Sequence, residues 1–483
     1  MSSRKKTKIV ATLGPASNNE DVMKQMILSG VDVFRINFSH AKHREVEKRI
    51  KIIRDLGEKL GCNTSILADL QGPKLRIGEV EEGTVVTPDD KILFLNGEPF
   101  VGNNEKVFMN YHNFSKDVKT GERILLDDGK LIFEVISTDK IEKVETRVIQ
   151  GGKLKSKKGV NLPNTKISLP ALTQKDVIDV EFAIKQKVDW IALSFVRYSE
   201  DLLDLKKLIE KHSDHKIPII AKIEKPEGID NIDKIISYCD GLMVARGDLG
   251  VEIPPAEVPL VQKELVKRAK KARIPVIIAT QMMESMIDSL TATRAEVNDV
   301  ANSVMDGADA VMLSGETSVG EYPVQVIKTM TSIINSVENS DLISVPQKPP
   351  NIRTIRFITK SICYHAVHIA NDVKAKAICT LTNSGYTAFQ ISAWRPNSHI
   401  LVFTPNKRIL TQLNLIWGVK AFFYDSFEST DKTVEEINEI AEKTGYVDKG
   451  DLLVNLTAMP IIKKRNGQYP QGFDHLVLIL IIY

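Results

Sequence analysis

Short apolar runs rich in Ile and Val recur along the chain, with helix-period segments between them. KIVATLG (8–14), VDVFRINF (31–38) and SILADL (65–70) come first, and after an interruption WIALSFV (190–196), IPIIAKIE (217–224), GLMVARGD (241–248), IPVIIATQ (274–281) and DAVMLSGET (309–317). Runs of this length read as buried parallel strands, and eight of them alternating with helices predict a closed (β/α)8 TIM barrel. An open doubly wound sheet shows the same alternation, but its ligands gather at one switch point. Here Arg35, Asp69, Lys222, Glu224, Asp248 and Thr280 recur at the carboxyl ends of several runs, which favours the barrel.

The interruption, 71–169, has short alternating runs and turn residues, and in RILLDDGKLIFEV the pair Asp128-Gly129 signals a hairpin. It reads as a small β domain inserted between the barrel halves, 1–70 and 170–343. Its hinges, near Gly72-Pro73 and Pro170, fall at the end of the barrel that carries the polar residues, the place for a lid. The pair Lys157-Lys158 could close on a nucleotide phosphate or belong to a solvated loop. The stretch SVPQKPPNI (344–352) marks a boundary. Beyond it, 353–483 alternates helix pattern, from about 354 to 373 at first, with the runs AICTLT, HILVFT, VKAFFYD and DLLVNLT, an open α/β sheet. Its loop Thr382-Asn383-Ser384-Gly385-Tyr386-Thr387 has the make-up of a phosphate cradle and equally of an ordinary helix cap.

Composition changes this picture little. The 483 residues exceed one core, and 65 basic against 62 acidic residues, a net +3, create no field that argues for nucleic acid. The four cysteines form no CxxC pair and sit in apolar runs, as reduced thiols do. The basic amino terminus passes directly into KIVATLGP without the apolar stretch of a signal peptide. The run Leu476 to Tyr483 is too short to span a bilayer as a helix. A cytoplasmic protein with no membrane and no nucleic-acid partner is expected.

Candidate chemistry concentrates in IIAKIEKPEGIDNIDKIISYCDGLMVARGDLG (219–250), a strand, about fifteen residues of helical pattern, and a strand. Glu224 and Asp248 end neighbouring strands, which lie about 4.8 Å apart, so they could share one hard divalent cation. Mg²⁺ fits best, since it takes one or two carboxylates together with waters and phosphate oxygens. Lys222 shares a face with Glu224 and adds an ammonium; two positive centres suit an anionic substrate. The bland alternative is a pair of buried salt bridges. In FRINFSH, Arg35, Asn37 and Ser39 fall on one strand face with His40 just beyond, a costly inward row unless it serves a ligand or ion. No Walker A loop is present, because both Gly-Lys pairs are followed by Leu. His212-Ser213-Asp214-His215 is expected at the surface despite its metal-like spacing, and Met282-Met283-Glu284-Ser285-Met286 in a helix core.

Together KIVATLGPAS, VFRINFSH, LQGPKLRIG, KKGVNLP, AKIEKPEGI, MVARGDLGVEIP, IIATQMMESM and AVMLSGETSVGEYP resemble pyruvate kinase, in order, over the chain to about residue 460. The resemblance implies the same three-part fold, a homotetramer in the cytoplasm, and the last step of glycolysis, phosphoryl transfer from phosphoenolpyruvate to ADP giving pyruvate and ATP. It implies Mg²⁺ held by Glu224 and Asp248, charge stabilisation by Lys222, and a phosphate grip by Arg35. The substrate is expected against Arg35, Lys222, Gly247, Asp248 and Thr280, with Thr280 assisting enolate protonation. Nucleotide contacts fall on Asn37, Phe38, Ser39, His40, Arg76 and Lys158, and a phosphorylated effector on Thr382, Asn383, Ser384, Gly385 and Thr387.

Two departures stand out. The family's K⁺ site matches Asn37, Ser39 and Asp69, but Leu70 and Lys74 replace its Thr and Glu, so K⁺ is expected to be replaced by the Lys74 ammonium. The tail, GQYPQGFDHLVLILIIY, lacks the family's usual closing strand sequence, which puts effector control in question. The competing readings are a Mg²⁺-dependent enolpyruvate-type lyase or aldolase, which needs no ADP, and an inactive metabolite-binding barrel, which needs a broken site.

Overall fold

The computed structural model describes residues 5–459 and 475–482, except 40, 164, 341, 344, 346–348, 351–355 and 427–428. Eight strands form a closed parallel barrel: β1 (Lys8–Thr12), β2 (Val33–Asn37), β3 (Ser65–Asp69), β4 (Trp190–Leu193), β5 (Ile219–Ile223), β6 (Gly241–Ala245), β7 (Val276–Ala279) and β8 (Ala310–Leu313). Most strand residues are buried on both faces, as parallel strands wrapped by helices require, which explains runs that are apolar without alternation. Outward residues such as Ile9, Ile66 and Ile278 join the surrounding helices in one core.

Helix starts follow local chemistry. Thr173 with Asp176, and Thr293 with Glu296, form capping boxes before Gln174–Lys185 and Arg294–Met305. Between β5 and β6 the single helical stretch read from sequence is two short helices, Pro226–Asp230 and Ile232–Ile236. Asn231 separates them with its amide turned to the Arg197 and Glu227 carbonyls. Met282 and Met283 are buried in the core, but in a loop before the 3-10 turn Glu284–Ile287 rather than in a helix.

Between β3 and β4 the chain builds a six-stranded sheet and a two-stranded ribbon from strands lying between Val85 and Asn161. The Asp127–Lys130 turn is centred on Asp128 and Gly129, both at positive φ (59° and 83°), and Lys130 N donates to Asp127 O at 3.3 Å. After the barrel, the helix Phe357–Asp372 leads into a five-stranded sheet. Four strands, Val419–Phe423, His399–Thr404, Ala377–Leu381 and Leu452–Met459, are parallel, and His475–Ile482 pairs antiparallel to the last. Part of the tail read as atypical therefore lies in this edge strand, and 460–474 lie outside the described residues.

This C-terminal unit caps the amino ends of the barrel strands. Inward residues Val10, Trp190, Ile220 and Met243 share a core with its Ile378 and Trp417. Trp190 Nε1 donates to Gln412 O at 3.1 Å and Lys8 Nζ to Val419 O at 2.9 Å. The carboxyl ends are left for the inserted unit and the polar residues. Among the described residues no helix is long and apolar enough to cross a membrane.

Candidate active site at the carboxyl ends of the barrel strands

Strand register sets the polar residues side by side: Thr12 beside Arg35, and Asn37 beside Asp69. Arg35 Nε donates to Asp69 Oδ2 at 2.6 Å and Nη1 to Thr12 Oγ1 at 3.0 Å. Lys222, only 9% exposed, sets its ammonium 3.1 Å from Asp69 Oδ1, 3.0 Å from Glu224 Oε1 and 2.7 Å from Ser194 Oγ. Ser194 Oγ in turn donates a hydrogen bond to Leu70 O at 2.6 Å, and Phe195 N donates to Glu224 Oε2 at 2.7 Å.

Charges alternate through this group. Burial pulls the Lys222 ammonium down, but Asp69 and Glu224 more than offset it and raise its pKa well above the usual lysine range. Burial likewise pushes Asp69 up, and Lys222 with Arg35 overcome that, so its carboxyl stays below the ordinary range. Glu224 is raised, first by burial and then by the like charge of Asp248, with Lys222 opposing. Two carboxylates close enough to repel are a donor pair that a shared divalent cation would relieve, so the residues present suit Mg²⁺. Among the described residues no group of three or more His, Cys, Asp or Glu side chains forms a metal cage, and Mg²⁺ does not require one.

Gly247 and Thr280 meet at the next two strand ends. Gly247 N donates to Thr280 Oγ1 at 2.7 Å, and that hydroxyl donates to Ala279 O at 2.6 Å. Thr280 has φ +70°, a left-handed conformation rare for a β-branched residue. A Cβ added at Gly247 would meet Thr280 Oγ1 at 3.4 Å, an ordinary van der Waals contact, so the approach does not itself demand glycine. Arg246 is turned away, to Asp299 Oδ1 and Thr280 O, both at 2.7 Å.

The inserted unit faces these residues across a cleft of about 540 Å³, lined by Lys74, Asp128, Lys225 and Asp248 among others. Asn161 Nδ2 donates to Glu252 Oε1 at 2.9 Å, and Lys225 Nζ reaches the same oxygen at 2.5 Å. Arg197, on the barrel, donates to Ile167 O at 2.6 Å and also to Leu169 O.

The structure thus brings together Arg35, Asp69, Lys222 and Glu224, sets Asp248 near Glu224, and pairs Gly247 with Thr280. Arg76 and Lys158 stay on the inserted unit, Arg76 Nη1 donating to Lys157 O at 2.7 Å and Lys158 pairing with Asp127 at 2.8 Å. Leu70 is buried, and Phe38 is a core residue stacked edge-on to Phe182. Ser39 is not on the strand face with Arg35 and Asn37: β2 ends at Asn37, whose Oδ1 accepts from Ser39 N at 3.1 Å and turns the chain. His40 lies outside the described residues. The loop 382–387 belongs to the C-terminal sheet, with Gly385 N donating to Thr382 Oγ1 at 3.0 Å and Gly385 at φ +78°. His212 pairs with Glu181 at 3.3 Å and His215 with Asp214 at 2.7 Å, away from this group.

Sequence reading missed Thr12, Ser194, Lys225, Glu252 and Asn161. The strand-end rule that found Arg35 also covers Thr12 and Ser194. No local signal joins Asn161 to Glu252, because that bond spans 91 positions.

Comparison with known proteins agrees with this fold. The pyruvate kinase barrel domain matches residues 4–327 and the pyruvate kinase alpha/beta domain 360–467. The chain is 42% identical over 465 residues to a pyruvate kinase of Staphylococcus haemolyticus, covering 95% of this chain and 79% of that one. It is 44% identical over 456 residues to one of Bacillus licheniformis, covering 93% and 77%. Among solved structures, a pyruvate kinase of Cryptosporidium parvum aligns with TM-score 0.89 at 32% identity, covering 99% and 96% of the two chains.

Proposed function

The chain belongs to the pyruvate kinase family of phosphotransferases, and from that premise we propose that it transfers the phosphoryl group of phosphoenolpyruvate to ADP with Mg²⁺ and without K⁺. The observation that carries the reading is the buried Lys222 ammonium set among Asp69, Glu224 and Ser194 with Arg35 alongside.

In the transfer, the bond between phosphorus and the enol oxygen breaks and one to a β-phosphate oxygen of ADP forms. The enolate left behind then takes a proton at its methylene carbon and becomes pyruvate. Arg35, with Asp69 and Thr12 fixing its guanidinium, holds the phosphate, and Lys222 meets the charge that spreads over the phosphoryl oxygens in flight. Its raised pKa keeps it cationic throughout. Glu224 and Asp248 would hold Mg²⁺, which supplies positive charge to the substrate oxygens. The Gly247–Asp248 backbone receives the substrate carboxylate, and Thr280, in contact with Gly247 N, sits where the enolate is protonated. Phe38, Ser39, Asn37, Arg76 and Lys158 serve the nucleotide, the last two carried by the inserted unit acting as a lid. A homotetramer, a cytoplasmic location and an effector phosphate at 382–387 accompany this reading.

Lys74 lines the same cleft as Asp248, and Leu70 offers no hydroxyl to a monovalent ion. The Lys74 ammonium therefore takes the place of K⁺. ADP-dependent pyruvate formation from phosphoenolpyruvate with Mg²⁺ in tetramethylammonium buffer tests both parts. Full activity without K⁺ is expected. Activity only with K⁺ keeps the reaction and removes Lys74 from that role, and none in either buffer returns the weight to a lyase.

A further inference from the structure

Behind Thr280 lies a guanidinium that is turned into the barrel wall. Register sets Ala245 beside Ala279, so Arg246 and Thr280 leave β6 and β7 at the same level. The largely buried Arg246 side chain donates through Nη2 to Thr280 O at 2.7 Å and to Gln281 O at 3.3 Å, with the Met282 sulfur against the same nitrogen at 2.9 Å. On its other side Nη1 donates to Asp299 Oδ1 at 2.7 Å and Gln262 Oε1 at 3.3 Å, from the helices Arg294–Met305 and Val258–Ala272. The backbone held in this way is uncommon. Thr280 and Gln281 are consecutive non-glycine residues in the left-handed region, at φ +70° and +55°. Such a turn persists only where its surroundings fix it, and Arg246 supplies a donor to both of its carbonyls.

The turn leaves Thr280 Oγ1 at the mouth, where it accepts from Gly247 N at 2.7 Å. On the reading above, in which Thr280 sits where the enolate takes its proton, we infer that Arg246 is a positioning residue for that half of the reaction. Anchored by Asp299, it holds the left-handed Thr280-Gln281 turn and so fixes where the Thr280 hydroxyl stands. A planar guanidinium suits the task, because it reaches two adjacent carbonyls and a carboxylate at once, which the point charge of a lysine does not. The groups assigned to transfer take their partners elsewhere: Arg35 from Asp69 and Thr12, and Lys222 from Asp69, Glu224 and Ser194.

Two variants of the full chain test the inference, Arg246→Met and Asp299→Asn; the second keeps residues 246–248 and removes only the anchoring charge. The two half-reactions are measured apart, as protonation of supplied enolpyruvate and as ATP formation in a single turnover of phosphoenolpyruvate with ADP. Protonation should fall about 10²-fold in Arg246→Met and about 10-fold in Asp299→Asn, since small misplacements of a reacting group cost that much. First-turnover ATP formation should stay close to the wild-type rate, with enolpyruvate appearing ahead of pyruvate. A merely structural role would not produce that split. If both half-reactions fall alike, or neither changes, Arg246 does not position Thr280. If Arg246→Met fails to fold, Asp299→Asn decides by the same split. A wild type lacking both half-reactions overturns the reading of the site and this inference with it, whereas a wild type with both, beside variants without the split, overturns the inference alone.

Discussion

The barrel carries a buried charge cluster at each end, and the two are composed differently. At the mouth, Arg35, Asp69, Lys222 and Glu224 alternate in sign, each within 3.1 Å of an opposite charge. At the base, Arg395 pairs with Asp309 at 3.1 Å where the C-terminal unit meets the barrel, and Lys270 is buried nearby. At the mouth Asp69 and Glu224 outweigh burial and raise the pKa of Lys222; at the base burial, with Arg395 adding to it, outweighs Asp309 and Asp306 and lowers that of Lys270. Burial is common to both, so the number and order of the carboxylates decide which outcome follows.

The sharpest way to break this comparison is Lys222→Met. It removes the one cation between Asp69 and Glu224, leaving two buried carboxylates facing each other. Phosphoryl transfer should fall by at least about 10²- to 10³-fold, while protonation of separately supplied enolpyruvate is retained, because Thr280 and Gly247 are untouched. Parallel assays of the two half-reactions check it; surviving transfer would remove Lys222 from its role.

The base cluster gives the next largest effect, on stability and with the opposite dependence on charge. Lys270 has a pKa of about 8 when folded against 10.5 when unfolded, with Arg395, Asp309 and Asp306 facing it. Between those values the unfolded chain holds a proton that the folded chain has shed, so stability rises with pH through this window and the full penalty applies below pH 8. The gap corresponds to about 3 kcal/mol. Lys270→Met should therefore stabilise the protein at pH 7, and the advantage should shrink toward pH 10.5. Urea unfolding of both proteins at the two pH values measures it, and a pH-independent difference would contradict the account. Lys6 and Lys8, also lowered to about 8, are common to both proteins and cancel in the difference.

How legible these clusters were in the sequence follows from how each is assembled. The barrel and the mouth could be read because strand residues carry a two-residue period and the strands end together, so Arg35, Asp69, Lys222 and Glu224 fall into one place by counting. The same counting failed one step past a strand end: Ser39 lies beyond β2 because the Asn37 side chain turns the backbone there. The base cluster was illegible, since Arg395 reaches Asp309 across the seam between two units and its tripeptide Trp394-Arg395-Pro396 carries no periodic signal. Domain alternation is a local property, whereas charge balance at a seam depends on how the units dock.

The rim of the mouth offers the smallest and most discriminating test, because there a single neutral side chain ties the inserted unit to a buried ion pair. Glu252 Oε1 accepts from both Lys225 and Asn161, and its Oε2 has no partner. Asn161→Ala leaves the ion pair intact and removes only the bond across the cleft. One hydrogen bond to a charged group is worth about 1.5 to 3 kcal/mol, and part of that is recovered by water at the rim. If the inserted unit is the lid that brings Arg76 and Lys158 to the nucleotide, its closed state should lose population, and KM for ADP should rise roughly 5-fold with KM for phosphoenolpyruvate little changed. Lys225→Met acts on the same oxygen from the barrel side but strands the Glu252 carboxylate, so it should lower stability as well as raise KM for ADP. Steady-state kinetics and Tm for the two variants separate these effects. If Asn161→Ala raised both KM values alike, the bond would be supporting the whole mouth and not the movement of the lid.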